Sequence, residues 1–309
     1  MKSFLSILLV LIVSVSFSQE TLSSKEIKKF QKGEKVLREY MLNFAYDTIP
    51  FEIKVKNIHD FIPRFVALLK EKNSYLYPFN SLQYLSKITA PDNAFKIFTW
   101  ELKEPLGTHR YYGAIQLNSK NLKITPLFDY SDTMEYHPQK TLTPSNWYGC
   151  VYYNCTLTND DQGNKKYTLF GLDKIDYVSN RKIMEVMTIN KEEKLFFGKE
   201  PLLLYYDTLG NLTKKETRLF LQYNDRSVVH LNYNHAKQEI VYDHVTAPSE
   251  KEADAGFTYV PDGTYEGFTW EKNYWKSDYR VFKYSINKPD SPPMPHPQNS
   301  GSRKNILGQ

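Results

Sequence analysis

A histidine and an aspartate occur at matching positions of two strand-like segments, 228–233 and 239–245. With a two- or four-residue loop between the segments, an antiparallel pairing places His230 opposite Asp243. A carboxylate that faces an imidazole fixes its tautomer and raises its basicity, as a general base in a hydrolase requires. The same pair is also typical of an exposed cross-strand ion pair, because no recognisable nucleophile lies beside it in the sequence. The sequence leaves both interpretations open.

The same register divides the side chains of this hairpin between a polar and an apolar face. The polar face carries His230, Asn232 and Asp243, and the apolar face carries Val229, Leu231, Tyr233, Ile240, Tyr242 and His244. On the apolar face, His244 is expected to be a hydrogen-bonded core histidine. Zinc binding by His230, His235 and His244 is disfavoured, because these side chains do not converge.

A second cluster of oxygen ligands surrounds Gly263. Asp262, Thr264 and Glu266 could hold calcium, since carboxylate-rich loops bind it through oxygen. Their spacing departs from the EF-hand pattern, and Pro261-Asp-Gly also predicts an ordinary type I or II turn. Calcium is the only cofactor that these residues suggest.

Aromatic side chains are concentrated near the C-terminal end of the predicted β region. They could line a groove for a glycan or a peptide, or they could form the core side of the last strands. The set is Phe257, Tyr259, Tyr265, Phe268, Trp270, Tyr274 and Trp275.

Composition and absent motifs exclude several classes of protein. The chain has no G-x-S-x-G, H-E-x-x-H, C-x-x-C, Walker or G-x-G-x-x-G motif, which is evidence against those enzyme families. The formal net charge of the 309 residues is +5, and basic and acidic residues alternate along the chain, so nucleic acid is not an expected partner.

Helical periodicity dominates the N-terminal segment, residues 19–90. Ser23 and Glu26 form a capping box, and apolar residues then recur on one stripe up to Phe44. A second helix is predicted to begin at Asp60, with Pro63 tolerated in its first turn. A short third helix is predicted over 81–88. We expect these helices to form one packed layer.

Residues 91–285 show short runs rich in Tyr, Phe, Val, Ile and Thr, separated by turn residues, which predicts antiparallel strands. The first three runs, 95–102, 110–117 and 122–127, form a predicted meander. A polar stretch, 128–146, is either a long connection or the boundary between two β units. Seven further strands are predicted over 147–156, 166–172, 182–189, 201–206, 217–223, 228–233 and 239–245.

Export signals occupy the N-terminus. Lys2 precedes an apolar run from Phe4 to Phe17, and small residues precede Gln19, which predicts a signal peptide over 1–18 and no transmembrane anchor after its removal. The protein is then periplasmic or secreted. Cys150 and Cys155 are expected on opposite faces of one strand, too far apart for a disulfide. The Pro-rich segment 286–309 predicts a disordered tail.

Several short motifs carry a resemblance: Trp147-Tyr-Gly, Leu169-Phe-Gly-Leu-Asp173, Ile240-Val-Tyr-Asp-His-Val245 and Tyr259-Val-Pro-Asp-Gly-Thr-Tyr-Glu-Gly-Phe268. With the signal sequence, they make residues 20–280 similar to an uncharacterised family of exported proteins from Bacteroidota. That resemblance implies export and no known activity.

Together these features predict an α+β protein in which an N-terminal helical layer is followed by a large antiparallel β-meander, as a sandwich or open barrel. The expected function is non-catalytic binding of an envelope protein or a glycan through the aromatic-rich C-terminal region. The alternative function is a hydrolase centred on His230 and Asp243.

Overall fold

The fold is taken from a computed structural model, which describes residues 21–119, 122–133, 139–253 and 255–278. The predicted signal peptide, 1–18, and the predicted tail, 286–309, lie outside the described residues.

Two helices, α1 (Ser24–Ala45) and α2 (Phe51–Leu69), form the N-terminal layer. The predicted capping box is confirmed, since Ser23 Oγ accepts from the amide of Glu26 at 3.3 Å and the Glu26 carboxylate accepts from the amide of Ser23 at 2.8 Å. The predicted apolar stripe is buried from Phe30 to Phe44. Helix formation here follows from local sequence, and burial of the stripe stabilises it.

The predicted start of the second helix at Asp60 is wrong, because α2 begins just after Pro50 and contains Pro63 in its interior. An interior proline costs a helix about 3 kcal/mol. Residues 51–58 offset that cost because Ile58 is fully buried and Phe51 and Val55 pack against the same core. Each large buried apolar side chain contributes about 2 kcal/mol, so tertiary packing outweighs the local penalty.

The third predicted helix, 81–88, is also absent. Residues 82–85 form a turn in which the amide of Leu85 donates to the carbonyl of Leu82, and the chain then enters a strand at Ser86. Leu82 and Leu85 are buried under the helices, so their spacing came from a packed turn. Short 3-10 helices occupy Ser74–Leu76, Ser131–Thr133, Pro144–Asn146, Glu250–Glu252 and Gly256–Thr258.

The described strands alternate with turns over the rest of the chain. In chain order they are β1 (Ser86–Thr89), β2 (Phe95–Lys103), β3 (His109–Leu117), β4 (Lys123–Phe128), β5 (Val151–Asn159), β6 (Lys165–Lys174), β7 (Ser179–Ile189), β8 (Leu195–Phe197), β9 (Leu203–Tyr206), β10 (Leu212–Glu216), β11 (Arg218–Asn224), β12 (Leu231–Asn234), β13 (Glu239–Thr246), β14 (Val260–Glu271) and β15 (Tyr274–Asp278).

These strands form three sheets. The first sheet has the order β1-β2-β3-β4, so the predicted meander is confirmed and gains one strand at its edge. The second sheet has the order β11-β7-β6-β5 with β8 on β7, and the third has the order β10-β9-β15-β14-β13-β12. Every pairing is antiparallel except that of β15 with β9.

Three hydrophobic clusters join the layers in the order helices, first sheet, second sheet, third sheet. The alternation of side chains along a strand explains the stack. In β2, Phe98 packs towards the helices, whereas Ile97 packs towards the second sheet. In β6, Leu169 packs towards the first sheet and Phe170 towards the third. The α+β prediction is therefore confirmed.

The two cysteines do not lie on opposite faces. Cys150 and Cys155 are both buried in the cluster between the first and second sheets, and both thiols are free. A β-bulge between Tyr152 and Asn154 inserts one residue, which returns an odd spacing to the same face. Burial raises the pKa of the Cys155 thiol to about 12, so this thiol is a core group and a poor nucleophile.

Candidate binding cleft

The predicted pairing of His230 with Asp243 is present in the predicted register. Leu231 pairs with Tyr242, and the amide of Asp243 donates to the carbonyl of His230 at 3.0 Å. The Asp243 carboxylate accepts from the amide of His230 at 2.7 Å and lies 3.2 Å from its Nδ1. The carboxylate therefore orients the imidazole, as the hydrolase hypothesis requires.

The surroundings of this pair resemble an open sheet surface. The side chain of His230 is 75% exposed, whereas the carboxylate of Asp243 is nearly buried. Asn232, on the same face, accepts from the side-chain amide of Asn154 at 2.6 Å and so links β12 to β5. An imidazole this open to water gains little from the low dielectric that strengthens acid–base catalysis.

The expectation that His244 is a core histidine is wrong. A bulge between Asp243 and Val245 displaces His244 from the apolar face, and its half-exposed side chain lies 2.7 Å from the carboxylate of Asp262 through Nδ1. Tyr242, two residues before it in β13, and Val245, the next residue, still contribute to the core between the second and third sheets. Between the pairs Asp243–Tyr265 and Val245–Pro261, one residue of β13 faces three residues of β14, and this irregularity moves the side chain from core to surface.

The predicted turn at Pro261-Asp-Gly does not reverse the chain, because these residues lie inside β14. Gly263 has the positive φ of 86° that was expected, and it sits where the ladder with β13 is irregular. Oδ1 of Asp262 accepts from the amide of Thr264 at 2.9 Å and from its hydroxyl at 2.7 Å. These two bonds, together with His244, lower the pKa of Asp262 to about 2.

The calcium ligands predicted from the sequence are thus engaged in local contacts. Asp262 and Thr264 bond to each other, and Glu266 pairs across the ladder with Tyr242. Within the ranges that the structure describes, no group of three His, Cys, Asp or Glu side chains is placed to hold a metal ion. Calcium binding stays a prediction.

The C-terminal aromatic residues separate into core and surface groups. Phe268 and Trp275 are fully buried between the second and third sheets, and Trp270 donates through Nε1 to the carbonyl of Asn159. Phe257, which precedes β14 in the chain, and Tyr265, which lies within β14, are exposed. Phe268, Trp270 and Trp275 therefore contribute to the core side of the last strands, whereas Phe257 and Tyr265 do not.

A cleft of about 500 Å³ opens where three layers end together. The connection after α1 supplies one wall, the ends of β2 and β3 supply the floor, and the end of β6 supplies the opposite wall. Its lining residues are Phe44, Ala45, Tyr46, Asp47, Tyr84, Glu101, Lys103, His109 and Lys174.

Two ion pairs that join different layers line this cleft. Lys174 Nζ of the second sheet lies 2.6 Å from a carboxylate oxygen of Glu101 in the first sheet. Lys103 Nζ lies 2.9 Å from a carboxylate oxygen of Asp47 in the helix connection. His109, whose side chain is only 8% exposed, has its Nδ1 3.4 Å from the second oxygen of Glu101. That distance is long for a hydrogen bond, but the imidazole lies close enough to the carboxylate to favour its ionised form.

The electrostatics of the cleft favour the charged forms of Glu101, Asp47 and Lys103. Burial alone would raise the pKa of Glu101, but His109 and Lys174 outweigh burial and hold this pKa below its ordinary value. The hydrogen bond to Lys103 lowers the pKa of Asp47 and, reciprocally, raises the pKa of Lys103. Near neutral pH the cleft therefore carries two carboxylates and two ammonium groups, with a balanced charge.

Two tyrosines form the rim of the cleft. The rings of Tyr46 and Tyr84 meet edge to face at 5.9 Å, and each residue is 47% exposed. The neighbouring Tyr46 side chain raises the pKa of Tyr84. Each ring is thereby oriented by the other while much of its surface stays open to solvent.

Reasoning from the sequence missed this cleft. Its residues come from five separate segments, and no two neighbouring ones form a motif. The one available signal was in β2, where Glu101 and Lys103 occupy the positions that alternate with Phe98, Trp100 and Leu102. Two alternating charges at the end of a strand whose middle is largely apolar mark the point where the packed interface opens to water.

Comparison with known proteins found no matching family model, no matching curated protein and no matching solved structure. The resemblance to exported proteins of Bacteroidota stays a prediction. Neither helix in the described ranges combines the length and apolar character needed to cross a membrane.

Proposed function

We propose that this protein is an exported, non-catalytic binding protein, periplasmic or secreted, that holds a neutral glycan in the cleft between Tyr84 and Lys174. The observation that carries the proposal is the combination, in one cleft, of two cross-layer ion pairs with two half-exposed tyrosine rings.

Charge balance supports a neutral ligand. Two carboxylates and two ammonium groups line the cleft, so neither an anion nor a cation gains a net attraction on entering it. Hydroxyl groups can donate to Asp47 and Glu101 and accept from Lys103 and Lys174, and both functions occur together on a sugar. Hydrogen bonds to charged groups are the stronger ones, at about 1.5–3 kcal/mol each.

The tyrosine rim supports a ligand with apolar faces as well as hydroxyl groups. Tyr46 and Tyr84 each present part of an aromatic ring that their edge-to-face contact orients before a ligand arrives, which reduces the entropy lost on binding. We therefore assign glycan binding to this cleft, whereas the sequence suggested the C-terminal aromatic residues for that role.

Isothermal titration calorimetry against neutral oligosaccharides tests the proposal, with glucose, mannose and N-acetylglucosamine oligomers as probes. Lys174→Met and Tyr84→Ala should each weaken binding by about tenfold or more, since each removes a charged donor or a stacking surface. Lys194→Met, at an exposed ion pair with Glu192, is the matched charge control. If Phe257→Ala weakens binding while Tyr84→Ala does not, the ligand binds at the C-terminal aromatic residues and the cleft assignment is wrong.

The export part of the proposal has its own test. N-terminal sequencing of the protein recovered from the periplasm or the medium should give a chain that starts at Gln19. An unprocessed chain that starts at Met1 and stays in the cytoplasm would contradict export.

A hydrolase centred on His230 and Asp243 is the second candidate, favoured by the 3.2 Å contact between Nδ1 and the carboxylate. The same oligosaccharides serve as substrates. Hydrolysis that is lost in His230→Ala, with an unchanged melting temperature, would support this candidate and replace the non-catalytic proposal.

A further inference from the structure

A second cavity, of about 270 Å³, adjoins the cleft. Asp47 and Lys103 line both spaces, so their ion pair lies at the junction. The rest of the second cavity is formed by Ile49, Phe51, Lys54, Glu104, Pro105 and Tyr177.

Asp47 at this junction is an oriented and accessible acceptor. One oxygen lies 2.9 Å from Lys103 Nζ, and the other lies 3.6 Å from Nζ of Lys54, whose side chain is buried. The carboxylate itself is mostly exposed. Two ammonium groups therefore fix its direction and leave it open to a ligand that passes from one cavity to the other.

Tyr177 is the exposed aromatic side chain of the second cavity, and its position is fixed by the hairpin turn between β2 and β3. Its hydroxyl donates to the carbonyl of Pro105 at 3.1 Å. Its ring packs on Gly107, where an added Cβ would lie 2.3 Å from the ring and where φ is 84°. The turn therefore needs glycine for both its backbone conformation and the close approach of this ring.

The base of Tyr177 is also held. The neighbouring Asp176 accepts through Oδ1 from the amides of Val178 and Ser179, at 2.8 and 2.9 Å, which closes the turn between β6 and β7. Lys103 Nζ lies 5.6 Å from the centre of the Tyr177 ring. With these constraints the residue is still 57% exposed, so an oriented aromatic surface faces solvent beside the ion pair.

We propose that the two cavities are subsites of one extended groove, which binds an oligosaccharide by stacking one sugar ring near Tyr84 and a further ring on Tyr177. This inference rests on the proposed function and specifies its ligand class as a chain of sugars. Asp47 accepts hydrogen bonds from the ligand at the point where it crosses between the subsites.

Calorimetric titration with oligomers of one to five units of a sugar bound by the wild type tests the inference. The wild-type affinity should rise at least tenfold between the shortest and the longest ligand. Tyr177→Ala should remove that rise and leave the affinity for the shortest ligand unchanged, whereas Tyr84→Ala should weaken binding at every length. Tyr177→Phe keeps the ring and loses only the bond to Pro105, so it should retain the dependence on length.

The outcomes separate the two proposals. If no oligomer binds, the proposed function fails and the extended groove fails with it. If binding occurs but does not depend on length, or if Tyr177→Ala keeps the full dependence on length, the extended groove is refuted while the binding function stands. A melting temperature for Tyr177→Ala close to that of the wild type excludes unfolding as the cause of a lost effect. Tyr130→Ala, at an exposed tyrosine that follows β4 and lies outside both cavities, controls for removal of a surface ring.

Discussion

Asp173 is a buried carboxyl group of the second sheet, and its ionisation should make the stability of the protein depend on pH. It lies in β6 directly opposite Arg181 of β7, with its Oδ2 3.7 Å from the guanidinium and 3.0 Å from the hydroxyl of Tyr148. Burial raises its pKa from 3.8 to about 6, in spite of Arg181 and the hydroxyl groups of Tyr148 and Tyr111. Desolvation therefore outweighs the ion pair at this site.

The sign of the pH effect follows from the raised pKa of Asp173. Between pH 4 and pH 6 the native state keeps a proton on Asp173 that the unfolded state has lost, so the contribution of this group to stability falls as pH rises. A shift from 3.8 to about 6 corresponds to about 3 kcal/mol in total. About 2 kcal/mol of this loss falls between pH 4 and pH 7.

Urea unfolding of the wild type and Asp173→Asn at pH 4, 5, 6 and 7 measures this loss. The asparagine variant has no titrating group, so its free energy of unfolding minus that of the wild type should increase by about 2 kcal/mol from pH 4 to pH 7. Other carboxyl groups are shared by both proteins and cancel in the difference. Asp225→Asn, at an exposed carboxylate, controls for the substitution itself.

Two results would refute this reasoning. A difference that stays constant within about 0.5 kcal/mol over the whole pH range would mean that the pKa of Asp173 is not shifted. A difference that decreases as pH rises would mean that Arg181 dominates and depresses the pKa, so that the ion pair outweighs desolvation.

Three further predictions concern stability. Arg218→Met should lower the free energy of unfolding in urea by about 3–5 kcal/mol, because it leaves the buried Glu185 carboxylate without its counterion. Lys194→Met, at an exposed ion pair, should lower it by less than about 1 kcal/mol. Equal losses in the two variants would contradict the role of burial. Ser23→Ala should cost about 1 kcal/mol, measured by thermal unfolding, because it removes the capping box, and no loss would show that the cap is redundant. The melting temperature should be the same in EDTA and in millimolar calcium, because the carboxylate of Asp262 is already bonded to Thr264 and His244. A clear rise in calcium would instead support the calcium site that the sequence suggested.

Features that depend on short-range chemistry could be predicted from the sequence. The Ser23–Glu26 capping box needs only four residues to be specified, and it begins α1 as expected. The pairing of His230 with Asp243 follows from a short loop, because a loop of fixed length leaves one register for the strands that it joins.

Features that depend on burial could not be predicted in the same way. Asp60 and Pro63 satisfied the local rule for a helix start, but the buried Ile58 extended the helix past them. His244 was assigned to the apolar face by simple alternation, and an irregularity of the β13–β14 ladder, opposite Gly263, moved it to the surface. In the first case packing into the core decided the outcome, and in the second case the pairing with the neighbouring strand β14 decided it.

The cleft was beyond sequence reasoning for a related physical cause. Its walls are the ends of layers, and the order in which the layers stack depends on contacts between residues far apart in the chain. Lys174 meets Glu101 only because the second sheet packs on the first, and Asp47 meets Lys103 only because the connection after α1 reaches the end of β2. A single sequence contains these residues without their proximity.

The position of the cleft also explains why its charges cost little stability. Along one face of β2, Phe95 and Ile97 are packed into the core, Thr99 accepts a hydrogen bond from the amide of Tyr152, and Glu101 and then Lys103 reach the open end. Polarity along this face rises as contact with the second sheet decreases, so each charge keeps part of its hydration. The apolar part of the strand packs the layers together, and the polar end is therefore available to bind a ligand. Substitutions in the cleft should therefore change binding more than folding, which is what makes the titration experiments decisive.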